Sequence, residues 1–318
     1  MMDVPFLDLK AQYANIRIDV RLAIDEVLDS QIWIGGPVLE RFEEAMAGRF
    51  NSRHAIGVSS GTDALLASLM ALGIGPGDEV ITSPFTFFAP VGAILRLGAR
   101  PVFVDIDPAT FNIDPGRLEE AVTDRTRAIL PVHLFGQSAE IAQILEIAGS
   151  REIPVVEDAA QAIGAFHRGC HVGTMGKTGC FSFFPSKNLG GAGDGGMILT
   201  DDDVLATRIR TICRHGASPK YYHVLTGGNF RLDPIQAAIL LVKLDHLDTW
   251  TRARQSHAAF YDKALEHVDG LSTPHVMAHN ISVYNQYVLR LKQRDEVMRR
   301  LIEDGIGCAV YYPSPMHH

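Results

Sequence analysis

The chain has 318 residues, 47% hydrophobic and 21% charged, with 29 glycines and a formal net charge of -8. That length buries a large core and suits one big domain or a large and a small one. An acidic balance without a Lys/Arg cluster argues against a nucleic-acid binder that needs many phosphate contacts. No apolar run approaches the ~18 residues of a membrane span.

The four cysteines, Cys170, Cys180, Cys213 and Cys308, are scattered without metal or disulfide spacing. No metal ligand set is therefore expected, and a reducing cytoplasm fits best. The N-terminal MMDVPFLDLK lacks a basic region followed by an apolar stretch, so no signal peptide is expected.

Apolar residues at Ile16, Val20, Ala23, Ile24, Val27 and Leu28 have helical spacing and predict a helix over 11–29. Gly35-Gly36-Pro37 breaks the chain before a second helix over 38–50. Strands and helices then alternate. Strands are expected at 55–59, 79–82, 100–106 and 127–133, with helices running to about 72, over 88–97, and over 139–148. This alternation predicts a mostly parallel α/β sheet of the seven-stranded type with helices on both faces.

The next stretch, 154–187, carries the chemistry. An apolar run ends on Glu157 and Asp158, and a second short strand over 180–184 ends on Pro185-Ser186-Lys187. Ligands bind at the C-terminal edge of open α/β sheets. A carboxylate and an amine delivered there suggest a Schiff-base lysine facing the acid that holds a pyridinium nitrogen. A plain buried Asp–Lys ion pair explains these two residues equally well.

A glycine-rich segment, GGAGDGG, leads to a strand over 197–200 and a helix over 202–214. The connection from His215 to Arg231 is long and polar, the kind of loop that serves function or reaches a partner. Asp233-Pro234 opens a helix to about 247, and another helix covers 249–267. A strand from Val283, a helix over 294–303 and a strand over 306–312 suggest a small α+β domain. The expected division is 1–247 and 248–318.

Other residues join Asp158 and Lys187 at the sheet edge. SSGTDAL at 59–65 lies between a strand and a helix, where Gly61 permits close approach and Thr62 adds a hydroxyl to an anion site; a plain helix cap is the alternative. Ser182 is a second phosphate donor or a buried serine. Phe87 covers a flat ring or packs in the core. Gln161 meets a ring hydroxyl or is solvated. His133 faces the same edge and reads as structural. Taken in order, 61–62, 87, 158, 182 and 187 follow the pyridoxal-phosphate pattern.

The segments VPFLDLKAQY, SGTDAL, PFTFFAP, VVEDAAQAIGA, FSFFPSKNLGGAGDGG, GGNFRLDPIQAAIL and YYPSPMH resemble the nucleotide-sugar aminotransferases of the DegT/DnrJ/EryC1/StrS family, of fold type I. The resemblance runs from Pro5 to His317. It implies pyridoxal 5'-phosphate held as a Schiff base on Lys187, with Asp158 at the pyridine nitrogen and Gln161 near the ring oxygen. It implies phosphate binding by Gly61, Thr62 and Ser182, and Phe87 on the ring. Asn229 matches an asparagine that reaches the phosphate from the other subunit of a homodimer. Arg231 and His317 match positions that touch substrate.

The implied activity moves an amino group from glutamate, released as 2-oxoglutarate, to a nucleotide-linked keto-sugar. The PSKNLGG form resembles members acting on 3-keto more than 4-keto sugars. A dehydrating subclass carries histidine where Lys187 stands, which favours transamination. Members continue several tens of residues past the PxH motif, so the small domain is expected to be incomplete here. The other readings are a regulatory protein, argued against by the acidic charge, and a catalytically impaired relative. A cysteine desulfurase is disfavoured because no cysteine lies in a recognisable desulfurase loop.

Overall fold

The computed structural model describes residues 4–318. Two helices lead in: α1 (Leu9–Ser30), capped by Asp8 through the amide of Ala11, and α2 (Pro37–Phe50), with proline in its first turn. Proline is favourable there because its missing N–H has no helical partner to lose.

The alternating region follows: β1 (His54–Val58), α3 (Gly61–Ala71), β2 (Glu79–Thr82), α4 (Ala89–Arg96), β3 (Arg100–Phe103), α5 (Leu118–Ala121), β4 (Thr126–Leu130), α6 (Ile141–Gly149) and β5 (Val156–Asp158). A short hairpin, β6 (Phe166–His167) and β7 (Cys170–His171), precedes β8 (Thr178–Ser182) and β9 (Gly196–Thr200). The helices α7 (Asp203–Ile212), α8 (Pro234–Leu244) and α9 (Leu247–Leu265) come next.

A four-stranded set, β1-β9-β8-β5, and a three-stranded set, β3-β2-β4, are joined by parallel bridges Ile129–Val155 and Val132–Asp158. The result is one seven-stranded sheet in the order β3-β2-β4-β5-β8-β9-β1. Only β9 runs antiparallel to its neighbours. The expected mostly parallel sheet is present, with predicted bounds shifted by a residue or two at most ends.

Period-two alternation explains why both faces are covered. Along β8 and β9, Cys180 and Ile198 enter one core with Ile56, Leu65, Leu69 and Val156, while Phe181 and Met197 enter another with Phe42, Phe50 and Phe183. Each of those fully buried phenylalanines contributes about 1.5–3 kcal/mol by leaving water. The core thus sits on both sides of the strands and fixes their C-terminal ends as a rigid edge.

Beyond α9, β10 (Leu271–Ser272) pairs antiparallel with β12 (Arg290–Leu291), and α10 (Arg294–Glu303) follows with no buried residue. Between them β11 (Asn280–Ile281) returns to the large sheet unit and pairs with β6. The strand expected from Val283 shrinks to Arg290–Leu291. The strand expected over 306–312 is absent; Ile306 makes one isolated bridge, to Val4. Aromatic and branched residues there favour extended backbone, but a strand needs a neighbour along its length, and here only one residue supplies it.

Candidate active site

Strands β1, β2, β4, β5 and β8 point the same way, so their C-terminal ends share one edge. Asp158 ends β5 directly beside Cys180 of β8. It is 4% exposed, and its Oδ1 accepts from the amide of Ala160 at 3.0 Å. Five residues past Ser182 comes Lys187, whose amide turns back to the carbonyl of Phe184 at 2.8 Å.

Burial pushes the Asp158 carboxyl above the usual carboxylate range, opposed by the Ala160 amide and by the Lys187 ammonium. Burial likewise pulls the Lys187 amine below its ordinary value, opposed by Asp158. The two groups act on each other through space, and no hydrogen bond joins them. The two side chains make no direct hydrogen bond or salt bridge to each other in this arrangement.

The 59–62 turn meets the end of β8. A Cβ on Gly61 would lie 2.7 Å from Cβ of Ser182, so only glycine lets the helix start approach that strand. Ser60, not Thr62, caps α3: its Oγ accepts from the amide of Asp63 at 3.0 Å. That cap uses the Asp63 amide, so the amides of Gly61 and Thr62 are not taken up by the Ser60 side chain. Helix N-terminal amides with adjacent hydroxyls favour an anion.

Gln161 is 6% exposed and so is not solvated. Its Oε1 accepts from the amide of Phe135 at 2.7 Å, and its Nε2 donates to the Tyr312 hydroxyl at 3.0 Å. Burial raises the Tyr312 phenol to about 12, so it stays a neutral donor at working pH. Phe87, after β2, is not core: the residue is 59% exposed. Its near neighbour Phe85 turns inward instead, against Phe111, Phe135 and Tyr312.

The remaining candidates are more scattered. His317 is exposed and leans on the Phe103 ring at the end of β3, while the amide of Met316 bonds the carbonyl of Pro84 at 2.8 Å. That bond brings the chain's last residues beside the 83–88 loop. Asn229 is exposed and paired by a bridge to Arg214 on the 215–231 connection. Arg231 is half-buried, with Nε lacking a hydrogen-bond partner.

A second layer of polar groups holds this edge, and its partners are set by contacts distant in sequence. Glu157 is fully buried; its carboxylate accepts from the amides of Gly173, Met175 and Gly176 at 2.8, 2.7 and 2.6 Å, and meets His133 Nε2 at 3.0 Å. His133 Nδ1 accepts from the Ala139 amide, so the structural reading of this histidine holds. Behind Lys187, Asn188 donates to the Val283 carbonyl and accepts from Asn285, and the buried Lys243 ammonium donates to the Gly190 carbonyl at 2.6 Å. Gln236 accepts from the Ala192 amide, pinning the glycine-rich turn.

Burial alone would raise the Glu157 pKa, but His133 and the loop amides outweigh it and hold it below the ordinary range. Glu157→Gln is expected to cost about 3–5 kcal/mol of stability at neutral pH, because it sets an NH2 against N–H donors. Since the folded pKa is depressed, this contribution is present above the unfolded carboxylate value and is lost as pH falls through the folded one. Thermal midpoints of wild type and variant across pH check it: the gap closes in acid.

The model of the DegT/DnrJ/EryC1/StrS aminotransferase family matches residues 15–318. A Geobacillus stearothermophilus protein named pleiotropic regulatory protein is 50% identical over 318 residues, 99% of this chain and 86% of that one. The UDP-2-acetamido-2-deoxy-3-oxo-D-glucuronate aminotransferase of Pseudomonas aeruginosa is 47% identical over 314 residues, 99% of this chain and 87% of that one. The crystal structure of DesV from S. venezuelae, in complex with a ketimine intermediate, is similar with a TM-score of 0.97 at 43% identity, over 100% of this chain and 85% of that one.

The shared architecture is the fold type I of pyridoxal-phosphate aminotransferases. Sheet order, edge chemistry and sequence agree: the chain belongs to the DegT/DnrJ/EryC1/StrS aminotransferase family.

Proposed function

We propose that the chain transfers an amino group from L-glutamate to a nucleotide-linked 3-keto sugar, with pyridoxal 5'-phosphate attached through Lys187 Nζ. The observation that carries this reading is a buried carboxylate, Asp158 at the end of β5, and a half-buried amine, Lys187 just past the end of the neighbouring parallel strand β8, acting on each other across a gap. When bound there, the cofactor supplies an electron sink for bond-breaking at the amine-bearing carbon.

The residues present fit that group. Gly61, Thr62 and Ser182 form an anion cradle of helix amides and hydroxyls. The exposed face of Phe87 offers a stacking surface for the ring. Asp158, whose charge is strained by burial, is stabilised by a cation on the ring nitrogen and in turn keeps that nitrogen protonated. Burial lowers the Lys187 amine's hold on its proton, which favours its use as the group that accepts a proton and returns it. Gln161, fixed between Phe135 and Tyr312, orients toward the ring oxygen. Residues 1–247 carry this site, and 248–318 form a smaller unit that, with Arg231 and His317, faces the sugar.

The 3-keto preference rests on the Pseudomonas relative, whose name specifies a 3-oxo sugar. The substrate test runs in reverse: UDP- and dTDP-linked 3-amino and 4-amino sugars are each incubated with 2-oxoglutarate, and glutamate is measured. The 3-amino sugars are expected to yield glutamate faster. A faster 4-amino substrate overturns the positional reading.

Asn229 is proposed to complete the partner protomer's site in a homodimer. Co-expressed Lys187→Ala and Asn229→Ala chains are then expected to regain activity, because a mixed dimer holds one site with both residues intact. Roughly a quarter of sites recover under random pairing. No recovery on mixing places Asn229 in its own chain's site or outside the chemistry.

The 50% identical relative named a pleiotropic regulatory protein favours a regulatory second reading by name alone. Retention of Lys187, Asp158 and the anion cradle supports catalysis in this chain.

A further inference from the structure

Away from the sheet edge, three side chains from distant parts of the chain converge. They are Glu140, at the start of α6; His167, on β6; and His279, just before β11. One ligand atom from each lies within 4.8 Å of those of the other two. His279 Nε2 sits 2.8 Å from Glu140 Oε1, and the two imidazole rings stand edge to face with centroids 5.1 Å apart.

The protonation of His167 follows from its neighbours. Its Nδ1 lies 2.8 Å from Asn280 Oδ1. The Asn280 amide is oriented by donating to the Ser138 carbonyl at 3.1 Å and to Gln137 Oε1 at 3.3 Å. With the oxygen so fixed, Nδ1 must carry the proton and Nε2 presents a lone pair. That Nε2 is buried in a residue only 1% exposed and has no hydrogen-bond partner. A buried acceptor left unpaired is costly and rare. A histidine with one nitrogen anchored to a carbonyl oxygen and the other free, beside a second histidine and a carboxylate, has the form of an oriented metal ligand.

We propose that Glu140, His167 and His279 bind a divalent transition-metal ion such as Zn2+, with water in the fourth position. Two imidazoles and a carboxylate suit zinc, whose ligand bonds of about 2.0–2.2 Å require the three atoms to close in modestly from their present spacing. The Glu140 and His279 side chains are 24% and 31% exposed, so the ion enters from solvent without unfolding. The ion adds a further tie between three elements already joined by the β6–β11 pairing, the Asn280 bonds and the Glu140–His279 contact. Just beyond His279, Val283 and Asn285 hold Asn188, the residue after the proposed cofactor lysine. The site therefore acts as a clamp on the backbone behind Lys187, distinct from the aminotransferase chemistry.

Untagged protein, stripped with chelator and titrated with Zn2+, tests this by calorimetry and by metal content after gel filtration. Glu140→Gln and His279→Gln alter the partly exposed ligands and spare the buried histidine, and circular dichroism checks that both variants fold. The expected result is one tightly held zinc per wild-type chain, a raised thermal midpoint with zinc, and at least about tenfold weaker binding in each variant. Equal zinc content and equal midpoint shifts in wild type and both variants overturn the proposal, as does a wild type that retains no zinc.

Discussion

Lys187→Ala is expected to lose about 10²–10⁴-fold in turnover from the missing proton transfer alone, with a further loss because the cofactor is no longer held covalently. Borohydride reduction followed by mass spectrometry reads the second effect directly: wild type gains the mass of the reduced cofactor, and the variant does not. Folding gives the control. The Lys187 amine is shifted only by burial and by Asp158, with no hydrogen bond contributing. Truncating it breaks no hydrogen bond but removes the cation that offsets Asp158 burial, so the fold should persist by circular dichroism, with a lowered thermal midpoint, while activity collapses. A variant that keeps turnover within tenfold of wild type removes Lys187 from the chemistry.

Asp158→Asn isolates charge from shape. The amide side chain keeps an oxygen for the Ala160 N–H, so the turn after β5 stays in place. What disappears is the negative charge proposed to keep the cofactor's ring nitrogen protonated. Opposite charges at close range shift a pKa by about 1–3 units, so the protonated fraction, and with it the rate, should fall about 10- to 1000-fold near neutral pH. Part of the loss should return as pH is lowered, because protons in solution then do what the carboxylate did. A rate unchanged by the substitution, or a loss that deepens in acid, contradicts the role given to Asp158.

Much of this site was legible because its parts sit at strand ends. Alternating apolar runs located β2 and α10 with their observed bounds, and a charge closing an apolar run marked Asp158 and Lys187. Glycine at 61 implied close approach, and the approach is to Ser182. What stayed hidden depends on contacts far apart in sequence. The bond from Gln161 to Tyr312 spans 151 residues, and nothing near either residue announces the other. Phe85 and Phe87 have the same chemistry, and only the tertiary surroundings turn one inward and leave the other exposed. Glu157 looked like a second acid at the edge; the loop at 173–176, between β7 and β8, folds back and consumes its carboxylate.

Composition misled in one place. Residues 306–312 favour extended backbone, yet pairing is a property of two segments, and the segment beside them contributes one bridge. The Glu140–His167–His279 cluster shows the converse: ligand spacing rules look for neighbours in sequence, whereas Glu140 and His279 are 139 residues apart.

The most direct test of the aminotransferase assignment is a single half-reaction. Protein saturated with pyridoxal phosphate and freed of excess is mixed with L-glutamate and no sugar, and 2-oxoglutarate is counted per chain. The expected result is one equivalent of 2-oxoglutarate, accompanied by loss of the cofactor's visible absorption, with neither change in Lys187→Ala. Cofactor that stays bound and unchanged in excess glutamate, with no 2-oxoglutarate released, contradicts glutamate-driven amino transfer at this site.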